Sequence, residues 1–236
     1  MKLLGLDFET GASFDTPLKD NFITEIGAAI QDTDHGIVDM CSTLIKNDEI
    51  ISPDCIQYTG ITNEAVDEWG RSPGPSFERL FDMWQRSDVI VAHNGLEFDI
   101  PLLEAYTARK KLPIFPKKLV IDTMIDIEYP ANCKAFNLTY LQAFHGFVYP
   151  GHRALFDVMA MLNILSKYDL DVILQSASSP IVEVMAVVNG YRDLAGREAA
   201  KANKFRWNPD RKIWTKKMRK HKADNTEWKL PITILA

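Results

Sequence analysis

Three short acidic clusters carry the side chains best suited to chemistry. The first, Asp7-Phe8-Glu9, ends a segment in which Leu4, Leu6 and Phe8 alternate with Gly5, Asp7 and Glu9. That alternation predicts a strand over Lys2–Thr10. Asp7 and Glu9 then project from one face while Phe8 points into the core. Neighbouring carboxylates repel each other, and are tolerated at a solvated strand end or when a divalent cation holds them. The second cluster runs Val91-Ala92-His93-Asn94-Gly95-Leu96-Glu97-Phe98-Asp99, an apolar strand leading through a polar turn to a helix. Taken alone, Asp99 reads as a helix N-cap. The third is Gly151-His152-Arg153-Ala154-Leu155-Phe156-Asp157, opening an apolar helix. Asp157 falls in its first turn, where the helix dipole favours an anion. His152 just precedes the helix and can swing over the same pocket.

The elements that must position these groups follow from periodicity. Strands are predicted over Lys2–Thr10, Thr24–Gln31 and Val38–Ile45, with Asp32–Gly36 as a turn. Val89–Ala92 and Val120–Asp122 are further short strands. Helices are predicted over Ser76–Arg86, Ile100–Lys111, Leu138–Phe144 and Ala154–Lys167. Early strands followed by alternating helices and strands imply an α/β fold, a mixed sheet covered by helices. His93 reads as structural at its motif, and His35, His145 and His221 as surface or turn residues.

Near Gln175 the character of the chain changes. Residues 176–180, Ser-Ala-Ser-Ser-Pro, have linker chemistry. They divide a domain over 1–175 from a small α+β module over 181–236, predicted as β-α-β-β with a hairpin turn at Asn208-Pro209-Asp210-Arg211. The overall formal charge of −5 conceals a split. Residues 1–189 hold 14 Lys+Arg against 27 Asp+Glu, a net of −13; residues 190–236 hold 13 against 5, a net of +8. In the basic tail, Phe205, Trp207 and Trp214 are interleaved with Lys204, Arg206, Arg211 and Lys212. This pattern suits phosphate neutralisation and base stacking, although the aromatics serve equally well as the core of a small β module. Cys41, Cys55 and Cys133 are widely spaced and read as reduced thiols. No apolar run nears the ~20 residues of a membrane helix. Met1–Leu6 imitates a signal peptide only briefly before Asp7 and Glu9 interrupt it. The expectation is a soluble cytoplasmic protein without membrane association.

Taken together, the three clusters resemble the DEDDh branch of the DnaQ-like 3′→5′ exonucleases, within the RNase H-like superfamily. The branch includes proofreading subunits, exodeoxyribonuclease X, RNase T and oligoribonuclease. Asp7 and Glu9 match the first motif, Asp99 the second and Asp157 the third. A His five residues before the last Asp marks the branch, and His152 stands there. The resemblance covers roughly residues 1–170. It implies an RNase H-like sheet and divalent-metal-dependent hydrolysis of DNA from the 3′ end, releasing nucleoside 5′-monophosphates. It also implies two Mg²⁺ or Mn²⁺ ions, about 3.5–4 Å apart in such sites. Asp7, Glu9, Asp99 and Asp157 would be the ligands, and His152 the general base, its ordinary pKa of ~6.5 suiting proton acceptance at neutral pH. The 3′-terminal nucleotide would lie on Thr10 and Gly11, with Asn94 and Phe98 opposite. Glu25 falls near the site by resemblance, and equally suits a strand-edge role. The family often places His before a Gly-Ile pair; this chain has Tyr58-Thr59-Gly60-Ile61. Base stacking then falls to Tyr58 or Ile61.

An RNA-processing exonuclease of the same branch is the nearest alternative. A non-catalytic nucleic-acid-binding or polymerase-associated module is the alternative of another class. That last reading requires a broken motif position, and none is broken.

Overall fold

The alternating segment Lys2–Thr10 is strand β1 in the computed structural model, which describes residues 1–148, 150–190 and 192–235. β1 pairs antiparallel with β2 (Ile23–Asp32), which pairs antiparallel with β3 (Gly36–Leu44). Its other edge pairs in parallel with β4 (Val89–Ala92), and β4 with β5 (Leu119–Asp122). The sheet order is β3-β2-β1-β4-β5. Parallel neighbours need crossover connections, and helices supply them.

Ser52, Thr62 and Ser72 precede three helices: α1 (Pro53–Thr59), α2 (Asn63–Trp69) and α3 (Pro73–Gln85). The Ser52 and Thr62 side chains accept from the backbone N–H groups of Cys55 and Ala65. The predicted helix at Ser76 therefore begins three residues earlier, at a Pro in its first turn. α4 (Asp99–Lys110), α5 (Leu138–Phe144), α6 (Ala154–Leu165) and α7 (Leu170–Ser178) follow.

The two sheet faces have different work. Leu4, Leu6 and Phe8 enter a core with Phe77 and Leu80 of α3 and Leu102, Leu103 and Tyr106 of α4. The Phe77 and Tyr106 rings stack at 5.2 Å between centroids. The opposite face receives α6, which comes so close that a Cβ on Gly5 would lie 2.8 Å from Val158 Cγ1. A Cβ on Gly27 would lie 2.2 Å from the Ala154 carbonyl carbon. Glycine at these two positions is what lets α6 lie against β1 and β2.

The chain divides into two compact units, Met1–Ile173 and Leu174–Ala236. The stretch expected as a linker, 176–180, is helical as far as Ser178, and Ser176 and Ala177 are buried. Its serines belong to a helix: Ser178 Oγ donates to Leu174 O at 2.8 Å, satisfying itself on the preceding turn. The second unit contains β6 (Ile181–Ala186), α8 (Leu194–Ala202), β7 (Arg206–Asn208), β8 (Ile213–Arg219), α9 (Lys220–Asn225) and β9 (Ile232–Leu235). Its antiparallel sheet runs β7-β8-β6-β9. The expected β-α-β-β is thus extended to β-α-β-β-α-β, a split-βαβ arrangement. Val184, Ala186, Trp214 and Met218 pack on Ala200 of α8 and Ala223 of α9, so both helices cover one sheet face. No helix among the described residues is long and apolar enough to cross a membrane.

Candidate active site

The face of β1 that carries Gly5 also carries Asp7 and Glu9, because strand side chains alternate. α6 therefore meets both carboxylates, and Asp157 lies in its first turn. Donor atoms of Asp7, Glu9 and Asp157 all lie within 4.8 Å of one another. Asp99 joins from the other side of β1. The pairing of β1 with β4 ends at Gly5 opposite Val91; beyond it, the Phe8 N–H donates to Asp99 Oδ1 at 3.1 Å. Asp99 is the first residue of α4, and Phe98 holds the N-cap position. The carboxylate thus faces the strand rather than capping its own helix.

Register adds a problem and its solution. Glu9 stands directly opposite Glu25 on β2, a like-charge pairing that costs stability if uncompensated. Arg153 compensates it. Its Nε and Nη2 donate to Glu25 Oε2 and Oε1 at 3.0 and 2.9 Å. The Ala154 N–H donates to Glu25 Oε2 at 3.0 Å, so Glu25 also satisfies the start of α6. The Arg153 backbone N–H donates to Asp157 Oδ2 at 3.1 Å. One residue therefore ties the third motif to both β2 and its own aspartate.

The turn before Asp99 is shaped by Asp122, at the end of β5. Its Oδ1 accepts from the N–H groups of Asn94 and Met124 at 2.9 and 3.0 Å, and its Oδ2 from Leu96 at 3.2 Å. Asp126 accepts the Asp122 N–H at 2.9 Å. Arg153, Asp122 and Asp126 are absent from the sequence-based site, and Glu25 is left undecided there. Glu25 could have been found by aligning β2 against β1, whose hydrophobic patterns fix the register.

Crowding governs the electrostatics. Burial pushes the Asp7 carboxyl well above its ordinary range, and the charges of Asp99, Glu9, Asp157 and Glu25 push it further. Burial and the Asp157, Glu25 and Asp99 charges raise Glu9 to about 8, with Arg153 opposing. Burial raises Asp99 to about 8 against the Phe8 N–H bond, with Asp122 and Asp157 adding. Without a cation, Glu9 and Asp99 favour their protonated forms near neutral pH. An all-oxygen donor set in excess negative charge fits hard divalent ions such as Mg²⁺ or Mn²⁺.

The remaining nominated residues separate by exposure. Thr10 ends β1 and is partly exposed, and Asn94 is exposed at φ 62°. Phe98 is half-buried and packs against the core. Tyr58, 54% exposed, places its ring 3.9 Å from that of His152. Two nominations need correction. Ile61 is buried among core residues and presents no face for a base. Gly11 spends its N–H on Phe22 O and its carbonyl on Ser52 N, and a Cβ there would strike the Phe22 ring at 2.3 Å. It shapes the strand end instead of offering a polar contact. His145 also departs from expectation. Its Nδ1 lies 2.6 Å from Leu141 O and its Nε2 2.8 Å from the Tyr168 hydroxyl, within an aromatic cluster.

In the second unit, Phe205 and Trp214 are buried and build its core, so Trp214 is not a surface contact. Trp207 lies opposite Trp214 on the edge strand and is 47% exposed. Lys204, Arg206, Arg211 and Lys212 are exposed, and Arg211 pairs with Glu183 at 2.6 Å.

The fold and this carboxylate arrangement define a nuclease-type domain. The chain belongs to the Exonuclease (RNase T) family, whose sequence model matches residues 4–165. No curated protein matches the chain significantly. Among solved structures, exonuclease I superposes with a TM-score of 0.61 at 16% identity, over 83% of this chain and 50% of that one. E. coli exonuclease I in complex with a dA16 oligonucleotide gives 0.61 at 17% identity, over 79% and 48%. The nuclease domain of 3′hExo, a DEDDh family member bound to rAMP, gives 0.57 at 20%, over 70% and 90%. These likenesses show the fold, a mixed RNase H-like sheet flanked by helices. The chain spans about half the length of exonuclease I.

Proposed function

We propose that this chain is a divalent-metal-dependent 3′→5′ exonuclease that hydrolyses DNA from the 3′ end and releases nucleoside 5′-monophosphates. The observation that carries this reading is the convergence of Asp7, Glu9 and Asp157 donor atoms within 4.8 Å. Asp7, Glu9, Asp157 and Asp99 would together hold two Mg²⁺ or Mn²⁺ ions. Such ions supply charge neutralisation for the phosphate and a more acidic water. His152 accepts the proton of the attacking water at an imidazole nitrogen. The Arg153–Glu25 pair holds the segment beside it. Thr10 and Asn94 orient the 3′-terminal nucleotide, with Phe98 as an apolar wall.

Residues 1–175 act as the catalytic domain in this reading. Residues 181–236 act as a basic module that binds the strand through Lys204, Arg206, Arg211 and Lys212, with Trp207 as the exposed stacking ring. Three free cysteines, Cys41, Cys55 and Cys133, suit a reducing compartment such as the cytoplasm.

The test is a set of 5′-labelled DNA and RNA oligonucleotides incubated with Mg²⁺, Mn²⁺ or EDTA. The expected product is a ladder shortening from the 3′ end, absent in EDTA. Asp7→Ala and Asp157→Ala should each lose about 10³-fold, the scale on which an electrostatic element of a hydrolase site is felt. Full activity in either variant would sink the reading. RNA belongs in the same tube because the 3′hExo domain is bound to rAMP; faster cleavage of RNA would make RNA the substrate.

A further inference from the structure

Tyr58 meets His152, and the residues around both explain how. α1 is fastened to the strand end that follows the first motif. The Ser52 N–H donates to Gly11 O at 2.8 Å, and Cys55 Sγ donates to Ala12 O at 3.0 Å. The helix stops at Gly60, in the left-handed region at φ 72°, where glycine fits without strain. Tyr58, one residue before the end of α1, is thereby held beside His152. Burial, and then the charges of Glu9, Asp157 and Asp7, raise its phenol above the ordinary range. Its ring lies over the His152 imidazole at 3.9 Å between centroids and 38° between planes. Phe14 meets the outer side of Tyr58 edge-on at 5.8 Å. His152 itself sits at φ 66°, a left-handed conformation that a non-glycine residue adopts only where its surroundings hold it.

We infer that Tyr58 is a positioning residue for His152: its ring, braced by Phe14 and anchored through α1, stacks on the imidazole and keeps it over the Asp7–Glu9–Asp157 cluster. This inference rests on the reading of His152 as the proton acceptor. It assigns Tyr58 a different task from stacking on the terminal base. A ring that serves His152 acts on the chemical step, whereas a ring that serves the base acts on binding. Misplacing a reacting group by about 1 Å costs on the order of 10²-fold, and the phenol oxygen plays no part in ring stacking.

The experiment compares Tyr58→Ala and Tyr58→Phe in the full chain. Proton NMR of the metal-free protein reads the contact directly, with His152→Asn assigning the imidazole signals. In the wild type, those protons should be shielded by the Tyr58 ring. They should move downfield in Tyr58→Ala and stay in Tyr58→Phe. In steady-state cleavage with Mg²⁺, Tyr58→Ala should lower kcat about 30-fold with KM within about twofold, a fraction of what a general base contributes. Tyr58→Phe should recover most of that loss. The inference is overturned if the His152 signals do not move in Tyr58→Ala, or if that variant raises KM and leaves kcat unchanged. A wild-type chain that cleaves nothing would end the functional reading, while the NMR comparison would still decide the contact.

Discussion

Asp7, Glu9 and Asp99 carry a pH dependence that needs no substrate to observe. An unfolded Glu or Asp titrates near ~4, whereas Glu9 and Asp99 titrate at about 8 in the fold. Between those values the folded state keeps protons that the unfolded state has released. Stability of the metal-free protein is therefore fully present below pH ~4 as far as these groups decide it, and falls as pH rises toward 8. In EDTA, the Tm should decline from pH 5 to pH 8.5, and Glu9→Gln should flatten the decline. Mg²⁺ should raise the Tm most at the alkaline end, where the carboxylates are freest to bind it. A Tm in EDTA that rises over this range would contradict the assignment. The three acidic clusters were legible in the sequence because their types and local contexts are intrinsic to short segments, and the fold brings Asp7, Glu9 and Asp157 together with Asp99 bonded to the same strand. Glu25 and Arg153 were harder, since their pairing spans 128 positions and exists only once β2 is in register with β1. Trp214 and Ile61 show the converse: an aromatic or apolar residue in a motif does not declare whether it faces inward.

At the scale of elements, α6 and its two glycine contacts decide whether the carboxylates meet. Gly27 lies opposite Asp7 in the β1–β2 register and beneath the first residue of α6. Gly27→Ala places a methyl group where backbone already stands, and overpacking of this kind costs about 1–3 kcal/mol. Because α6 carries Asp157, activity should fall by more than about 10-fold even at temperatures where the variant remains folded. Gly74→Ala, with nothing within 4 Å of the new methyl, is the control and should leave both stability and activity near wild type. Thermal unfolding alongside cleavage rates checks both. Several elements were readable at their bounds, among them β1, β4 and α5, where apolar periodicity and flanking breakers agree. α1 and α2 were missed because their segments, PDCIQYT and NEAVDEW, carry fewer apolar side chains than the equally short LTYLQAF of α5; their capping Ser52 and Thr62 were the available signal. The serines of α7 read as linker because composition alone cannot distinguish a loop serine from one bonded to its preceding turn.

For the whole molecule, the charge split has a testable consequence. The net −13 lies in residues 1–189, which include the carboxylate cluster, and the +8 excess lies in residues 190–236. Deleting Pro180–Ala236 ends the chain just after α7 (Leu170–Ser178). It should weaken oligonucleotide binding and processivity more than single-nucleotide hydrolysis, and flatten the dependence of log K on log salt. Unchanged salt dependence in a truncated chain that still unfolds cooperatively would refute the binding role. The sequence revealed that this segment is basic and contains a hairpin. It did not reveal α9, whose polar Lys220–Asn225 segment has no apolar stripe of its own, or the strand β9.

The hydrogen bonds of Asp122 have an evolutionary consequence. This carboxylate grips the Asn94–Asp99 turn by main-chain N–H groups, which every residue except proline supplies. The path of the turn, and with it the aim of Asp99, is thus set from the neighbouring strand, with Gly95, where a Cβ would lie 2.2 Å from the Ala92 Cβ, as a position that admits no side chain. A position such as Leu96 can be exchanged while Asp99 keeps its place, whereas Asn94, at φ 62°, is confined to residues that tolerate the left-handed region. The fold thereby separates the part of the site that must stay fixed from the part that is free to drift.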